Sequence, residues 1–433
     1  MEKVSATPSM VRYMVLGVLC VAAMIAYIHR SCISVPAGLI QHDLKLSQEE
    51  MGQIMSAFYL GYALMQIPSG WLGDRFGTRL ALFLFVLGWS LATALMSLAW
   101  DFVICYALWL TCGMFQAGIF PCSVNTISHW SPTSERGFPS GMLGSFMSIG
   151  AAMASALTVL VLAYFDWPAL FVILAIPGIV FAGGFFLWFR NRPAEHSWVN
   201  RAELEFIEAE AGPERRADPD QSWKDLAGKP LLYLVCGQQF FRAACYIFYV
   251  TWFPTFLQKS RGASLTDSGI LTSVPLLSVV VGSTVSGLCI DWIWRQTGSR
   301  RLSRHGVGLV SVLGAGSFLL FAFFADSLAW TVGFTTASAV CAGCSGPAGY
   351  TVTIDLAGRR VATVFSIMNM AGNLGAYLLP LAVVPLVDWS SWNEVLLLLA
   401  ALYAGAAVCW LLLFWLDHRS PPSAADPPGR ACT

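Results

Sequence analysis

The chain has 433 residues, 56% hydrophobic and 12% charged, with 25 Lys and Arg balancing 25 Asp and Glu. Soluble domains carry about 25% charged residues. Apolar runs of about twenty residues recur along the whole length, which excludes a soluble enzyme or nucleic-acid binder and indicates a polytopic membrane protein.

Taken in order, the apolar runs predict helical spans at 11–39, 50–72, 79–99, 102–130, 138–164 and 167–189. A second set follows at 230–257, 267–294, 306–325, 328–354, 361–388 and 392–416. The expected fold class is an all-α membrane protein, with twelve transmembrane helices in two six-helix pseudo-repeats. Residues 1–190 form an N-terminal bundle and 229–417 a C-terminal bundle. Between them, 191–228 reads as a polar cytoplasmic linker with Pro193, Pro213 and Pro219 and a short surface helix from Arg201 to Glu210. The tail, 418–433, is Pro- and Ser-rich and expected to be disordered. The first apolar run does not read as a signal peptide, because it is too long, carries Arg30 and lacks a small-x-small cleavage site.

Lys45, Lys259, Arg261 and the two intramembrane arginines are the only cations outside one alternating set of loops and tails. The positive-inside rule therefore puts both termini in the cytoplasm, and the expected location is a bacterial-type inner membrane or its equivalent. Eleven of the twelve cysteines lie within apolar runs and only Cys432 in a tail, so buried thiols rather than disulfides are expected. Cys341 and Cys344 have redox-like spacing but fall on a predicted span. Trp100, Trp389 and Trp392 read as interface anchors.

Charge inside the spans is the functional signal. Arg30 is the only formal charge between Tyr13 and Ile40. A charge at that depth costs at least about 2.5–3.5 kcal/mol. Arg242 lies about 16 Å into the seventh span by the helical rise. That is near the middle of a hydrocarbon core about 30 Å thick, too deep for easy escape to the headgroups. The two guanidiniums are expected to face a shared cavity and to hold an anion bidentately. Gln238 and Gln239 beside Arg242 either hydrogen-bond that anion or pack between helices. Every Asp and Glu falls in a loop or at a helix end, so no carboxylate is available as a proton carrier or a sodium ligand. His29 is the one histidine deep in a span; it is a candidate for proton coupling or a neutral hydrogen-bonding group. No catalytic set, metal cluster or nucleotide loop is visible. The expected partners are a small organic anion, membrane lipids and possible coupling protons, with no cofactor, no nucleic acid and a monomeric state.

One further motif is spatially concrete. Gly70, Asp74, Arg75, Gly77 and Arg79 end the second span, and Gly287 to Asp291 repeat the Gly-x-x-x-Asp part after the eighth. The glycines allow close helix approach, and the carboxylate with its flanking cations reads as a latch. This pattern resembles the loop signature of the major facilitator superfamily, which implies parallel repeats with the substrate site between them. Within it, Tyr27-Ile28-His29-Arg30, Tyr62 to Pro68, Thr251 to Leu257 and Asn369 to Gly375 resemble the anion:cation symporter family. So do Pro193, His196, Glu203 and Ile207 in the linker. That resemblance implies anion contacts from Arg30 and Tyr62, and contacts to substrate hydroxyls from helix 11, where Asn369 and Asn373 lie. Two departures stand out: His29 and Gln116 occupy positions where members of that family often carry acids. Cys112 to Gln116, Pro121-Cys122, His129-Trp130 and Glu135 to Gly137 also resemble the organophosphate:phosphate antiporters, which use an arginine from helix 1 and one from helix 7.

Overall fold

The computed structural model describes residues 7–209, 228–358 and 360–416. All regular structure among them is helical. Most of the linker beyond Ala209 and the tail from 417 onward, with Cys432, lie outside the described residues. Eleven helical segments are long and apolar enough to cross a membrane. A twelfth, α3 (Gln48–Phe76, 29 residues), has the length but carries Gln53, Tyr59, Tyr62 and Gln66 along its course.

The element bounds show where proline chemistry overrides apolar patterning. The first predicted span, 11–39, is α1 (Val11–Ser31), then a turn, then α2 (Ala37–Leu44). Pro36 disfavours helical backbone before it and clashes with the carbonyl four residues back, so the chain leaves the helix at Ser31. The fourth span, 102–130, is two helices, α5 (Phe102–Gln116) and α6 (Ile119–Trp130), because Pro121 cannot bond the carbonyl of Ala117. Pro254 divides the seventh into α10 (Pro230–Thr251) and α11 (Phe253–Arg261) in the same way. The ninth opens with a π-helical turn, Arg301–Gly306, before α13 (Val307–Phe323). The remaining helices follow the predicted pattern: α4 (Thr78–Leu95), α7 (Gly137–Leu162), α8 (Trp167–Trp188), α12 (Leu265–Thr297), α14 (Leu328–Ala357), α15 (Val361–Trp389) and α16 (Glu394–Leu416). Asp101, Asp166, Ser264 and Ser327 accept backbone hydrogen bonds at their helix starts, and Ser47 with Glu50 forms a full capping box on α3.

The chain forms two compact units. The first comprises Met1–Ser131, Phe146–Ala209 and Arg360–Ser366; the second comprises Pro132–Ser145, Glu210–Arg359 and Ile367–Thr433. Thus the first turns of α7 cluster with the second unit, and the first turns of α15 with the first. Each unit is built around a glycine-mediated helix pair. In the first, a Cβ on Gly113 would lie 2.0 Å from the Phe58 carbonyl oxygen, and one on Gly61 2.1 Å from that of Leu110. Backbone therefore meets backbone between α3 and α5. In the second, Gly282 stands in the same relation to the Val340 carbonyl at 2.0 Å, joining α12 to α14. In membranes, such small-residue contacts replace the hydrophobic effect as the packing force.

The linker helix α9 (Arg201–Ala209) is part of the first unit. The start of α1 has no side-chain cap of its own. Glu203, wholly buried, supplies one: it accepts from the amides of Val11 at 3.0 Å and Arg12 at 3.1 Å and from the Ser9 hydroxyl. Its charge is met by the Arg12 guanidinium at 3.2 Å, which also lies over the Tyr13 and Phe206 rings.

Candidate anion-binding site

In the first unit the site is built around Arg30, one residue before the end of α1. Its guanidinium lies 4.6 Å from the ring centre of Tyr27, 4.9 Å from Phe58 and 4.8 Å from Tyr62. Phe58 and Tyr62 stack on one another at 6.1 Å on α3, and Trp109 of α5 packs against Phe58. Glycine-mediated contact between α3 and α5 positions this aromatic wall. Tyr62 also hydrogen-bonds the guanidinium. Yet Nε and Nη2 of Arg30 are buried with no hydrogen-bond partner. The rings satisfy the faces of the cation, while the two nitrogens of the in-plane edge, whose geometry suits two oxygens of an oxyanion, are left without a partner.

The neighbours of Arg30 on α1 are braced from behind. His29, 1% exposed, has its Nε2 2.6 Å from the Leu174 carbonyl oxygen of α8, and its ring lies against Gly178 of the same helix. Gln116 donates at 3.0 Å to the Ala26 carbonyl, one turn before Arg30. Both positions singled out as lacking an acid thus hold side chains bonded to backbone.

In the second unit Arg242 lies half-buried on α10, and its Nε donates to Gln239 Oε1 at 3.1 Å. Gly372 of α15 packs directly on the Gln239 side chain, and a Cβ at Gly375 would fall 2.2 Å from the Phe240 carbonyl oxygen. This close approach brings the polar face of α15 to α10. Asn373 Nδ2 is buried without a partner, whereas Asn369, one turn earlier, is already engaged. Gln238 turns its amide to the Val235 carbonyl. Arg242, Gln239 and the Gly372 face of α15 are therefore assembled, with Asn373 adjacent in sequence and Gln238 committed elsewhere.

The latch motif takes a form its sequence does not suggest. Asp74 pairs with neither Arg75 nor Arg79. It accepts from the Ala362 amide at 3.0 Å and the Thr363 amide at 2.9 Å, and from the Thr363 hydroxyl. It thus caps the start of α15. Arg75 stacks over Trp71 and Phe76, and Arg79 donates to the Phe186 carbonyl. Gly77, at φ 80°, turns the chain between α3 and α4 so that the Arg79 amide reaches Asn191. Gly70 is required because a Cβ there would meet the Ala362 carbonyl oxygen at 2.6 Å. In the second unit Asp291 accepts from the Gly137 and Phe138 amides at 2.7 and 2.8 Å, capping the start of α7, and Gly287 packs on the Gly137 carbonyl. The physical reason is common to both: the first amides of a helix have no internal partner, and the helix dipole favours an anion there.

A further network in the second unit lies at loop charges that sequence reading treats as topology signals. Arg136 and Arg304, each 1% exposed, converge on Asp355: Arg304 forms an ion pair with it, and Arg136 lies 3.5 Å away. Arg295 pairs with Glu135 at 2.8 Å. Hydrophobic patterning cannot reveal this convergence, since all these residues sit near predicted span ends. The described cysteines are all free thiols, Cys341 and Cys344 included.

Two helical units that hold buried arginines within apolar spans define a multi-pass membrane transporter. The model of the Major Facilitator Superfamily matches residues 19–314 and 297–430, and the chain belongs to this superfamily. A probable sulfoacetate transporter of Cupriavidus necator is 31% identical over 83% of each chain. A probable galactarate/D-glucarate transporter of Bacillus subtilis is 28% identical, over 93% of this chain and 92% of the relative. Among solved structures, a proton:xylose symporter aligns with a TM-score of 0.71 at 13% identity, covering 95% of this chain and 96% of that one. The human organic anion transporter MFSD10 aligns with a TM-score of 0.65 at 15% identity, covering 94% and 99%. At these identities the two structures establish the fold.

Proposed function

We propose that this protein carries a small organic anion, a sulfonate or sugar-acid carboxylate, across the membrane by alternating access. The observation that carries the reading is Arg30, whose two buried N–H groups lack an acceptor inside a ring of three aromatic side chains. A cation so placed is costly without an anion, and a guanidinium binds two oxygens where an ammonium binds one. Tyr62 shares the ring. Arg242, Gln239, Asn373 and Asn369 form the polar set of the second unit that contacts the acid or hydroxyl groups of the cargo. The relatives named for sulfoacetate and for galactarate or glucarate support this choice of class. Asp74 and Asp291, with Gly70, Arg75, Gly77 and Arg79, act in gating: their helix caps hold one access state and release in the other. The cation distribution supports an orientation with both termini cytoplasmic, and the bacterial relatives support a bacterial inner membrane as its location.

The test is counterflow in proteoliposomes with labelled sulfoacetate, galactarate, glucarate and a hexuronate. At least one should exchange in the wild type, and Arg30→Lys should lose most of that exchange. Wild-type counterflow unaffected by both Arg30→Lys and Arg30→Ala would overturn the assignment of Arg30.

A further inference from the structure

The linker motif of Pro193, His196, Glu203 and Ile207 takes no part in the anion site, yet all four residues are buried. Three anchors account for this. The first stands at the end of α8, which Arg190 closes by donating to the Leu187 and Phe189 carbonyls at 2.8 Å. The chain then ties in two more helices. The Arg190 carbonyl accepts from Trp130 Nε1, at the end of α6, at 3.2 Å, and Asn191 Oδ1 accepts from the Arg79 amide in the first turn of α4 at 2.8 Å.

The second anchor is His196. Its ring meets three tryptophans edge-to-face, with centroids 4.9 Å from Trp188, 5.8 Å from Trp130 and 5.7 Å from Trp198. Nδ1 accepts from the Trp198 amide at 3.2 Å, so the hydrogen of the neutral ring is on Nε2. That nitrogen is buried among the indoles with no hydrogen-bond partner, where an N–H finds only weak contacts to aromatic faces. The imidazole acts as a neutral wedge between the ends of α6 and α8.

The third anchor is the start of α9. Asn200 caps it, its Oδ1 accepting from the Glu203 amide at 2.9 Å. The same residue trades bonds with the chain before α1. The Ser9 amide donates to Asn200 Oδ1 at 3.2 Å, the Asn200 amide to Ser9 Oγ at 3.1 Å, and Asn200 Nδ2 to the Thr7 carbonyl at 2.7 Å. Glu203 and Ile207, about one turn apart, form the buried face of α9, while Arg201 and Glu205 pair on its exposed face. With Glu203 capping α1, the two helix starts are held by one interlocked set of caps.

From these contacts we infer that residues 191–209 are a strap, keyed by His196 and Glu203, that joins the starts of α1 and α4 to the ends of α6 and α8 and stays closed throughout the transport cycle. The reason is cooperativity. Opening the strap would release the first amides of α1, part Glu203 from Arg12 and empty the tryptophan cage in one step, and each of these losses leaves buried polar or aromatic groups without partners. The inference goes beyond the anion reading and is independent of which anion is carried.

The experiment locks the strap. Ser9 and Asn200 each reach the backbone of the other, a spacing that a disulfide can span. Ser9→Cys with Asn200→Cys is introduced into the full-length protein, with exposed Cys289 and the tail residue Cys432 replaced by Ser. Counterflow of sulfoacetate, galactarate, glucarate and a hexuronate is then compared in the oxidised and reduced samples. The oxidised protein should exchange within about twofold of the reduced one. A larger loss that dithiothreitol restores means that the strap must open, and overturns the inference. Hydrogen–deuterium exchange gives a second readout that needs no transport. The Val11, Arg12 and Glu203 amides should be protected in the wild type. Glu203→Ala should speed exchange at Val11 and Arg12 about tenfold, since both lose a charged acceptor, while exchange in α16 stays as in the wild type and shows that the variant is folded. Unprotected amides in the wild type, or protection unchanged in Glu203→Ala, overturns the inference. Absence of counterflow in the wild type counts against the anion reading instead, and exchange then decides the strap by itself.

Discussion

Arg30 and Arg242 are the same residue in corresponding helices of the two units, yet their surroundings differ in kind. Arg30 is held by three ring faces and one hydrogen bond with Tyr62, which leave Nε and Nη2 without a partner. Arg242 spends one N–H on Gln239, three residues earlier on its own helix. The first arrangement leaves a bidentate edge buried and unbonded; the second offers a partly satisfied charge within a polar group of amides. The comparison teaches that burial alone does not rank two intramembrane cations. What remains unbonded does. Arg30 is the residue with two buried nitrogens still without a partner, and Arg242 the one already bonded through Nε.

This contrast predicts a graded response. Arg30→Ala removes two charge-assisted hydrogen bonds, each worth about 1.5–3 kcal/mol, so uptake of the exchanged anion should fall at least about 100-fold. Arg242→Ala should cost less, about tenfold in uptake, because the wild-type group is already partly bonded. Equal losses in the two variants, measured as initial rates in proteoliposomes, would erase the distinction. Phe58→Leu keeps an apolar side chain of somewhat smaller volume but removes a ring face worth about 0.5–2 kcal/mol. It should weaken binding about fivefold by calorimetry. Tyr27→Phe keeps the face and should change binding less than about twofold, the smallest effect; a larger one would show that the Tyr27 hydroxyl, rather than its ring, acts on Arg30.

The two carboxylate caps make a second comparison, this time of likeness. Asp74 and Asp291 occupy repeated motif positions and each bonds two amides at the start of a helix. A cap of this type is worth about 1 kcal/mol. Asp74→Ala and Asp291→Ala should therefore each shift the population of access states about fivefold, read by labelling of single cysteines in the transport path, with substrate affinity preserved. If only one of the two shifts accessibility, the symmetry is structural and not functional.

Much of this organisation was legible without coordinates. Twenty-residue apolar runs dictate helices because unpaired backbone groups are intolerable in hydrocarbon, and so the twelve spans, the repeat and the depth of Arg30 follow from residue order alone. The cost of a buried charge made Arg30 and Arg242 visible for the same reason. Prolines 36, 121 and 254 were visible too, but their effect was masked by the apolar residues around them, so the breaks after Ser31, Gln116 and Thr251 were not expected.

What only the tertiary structure decided concerns direction and partnership. Sequence places His29 next to Arg30, but successive side chains on a helix diverge by about 100°. Packing alone reveals that one turns to α8 and the other into the aromatic ring of Tyr27, Phe58 and Tyr62. Likewise the motif suggests Asp74 paired with nearby arginines, whereas its partners are amides almost three hundred positions away in the chain. Glu203 reads as a surface charge on a linker helix, yet it is the buried cap of α1. Local composition encodes depth and helicity, because these depend on each residue's own exchange with lipid and water. Which donor meets which acceptor depends on segments that the fold alone brings together.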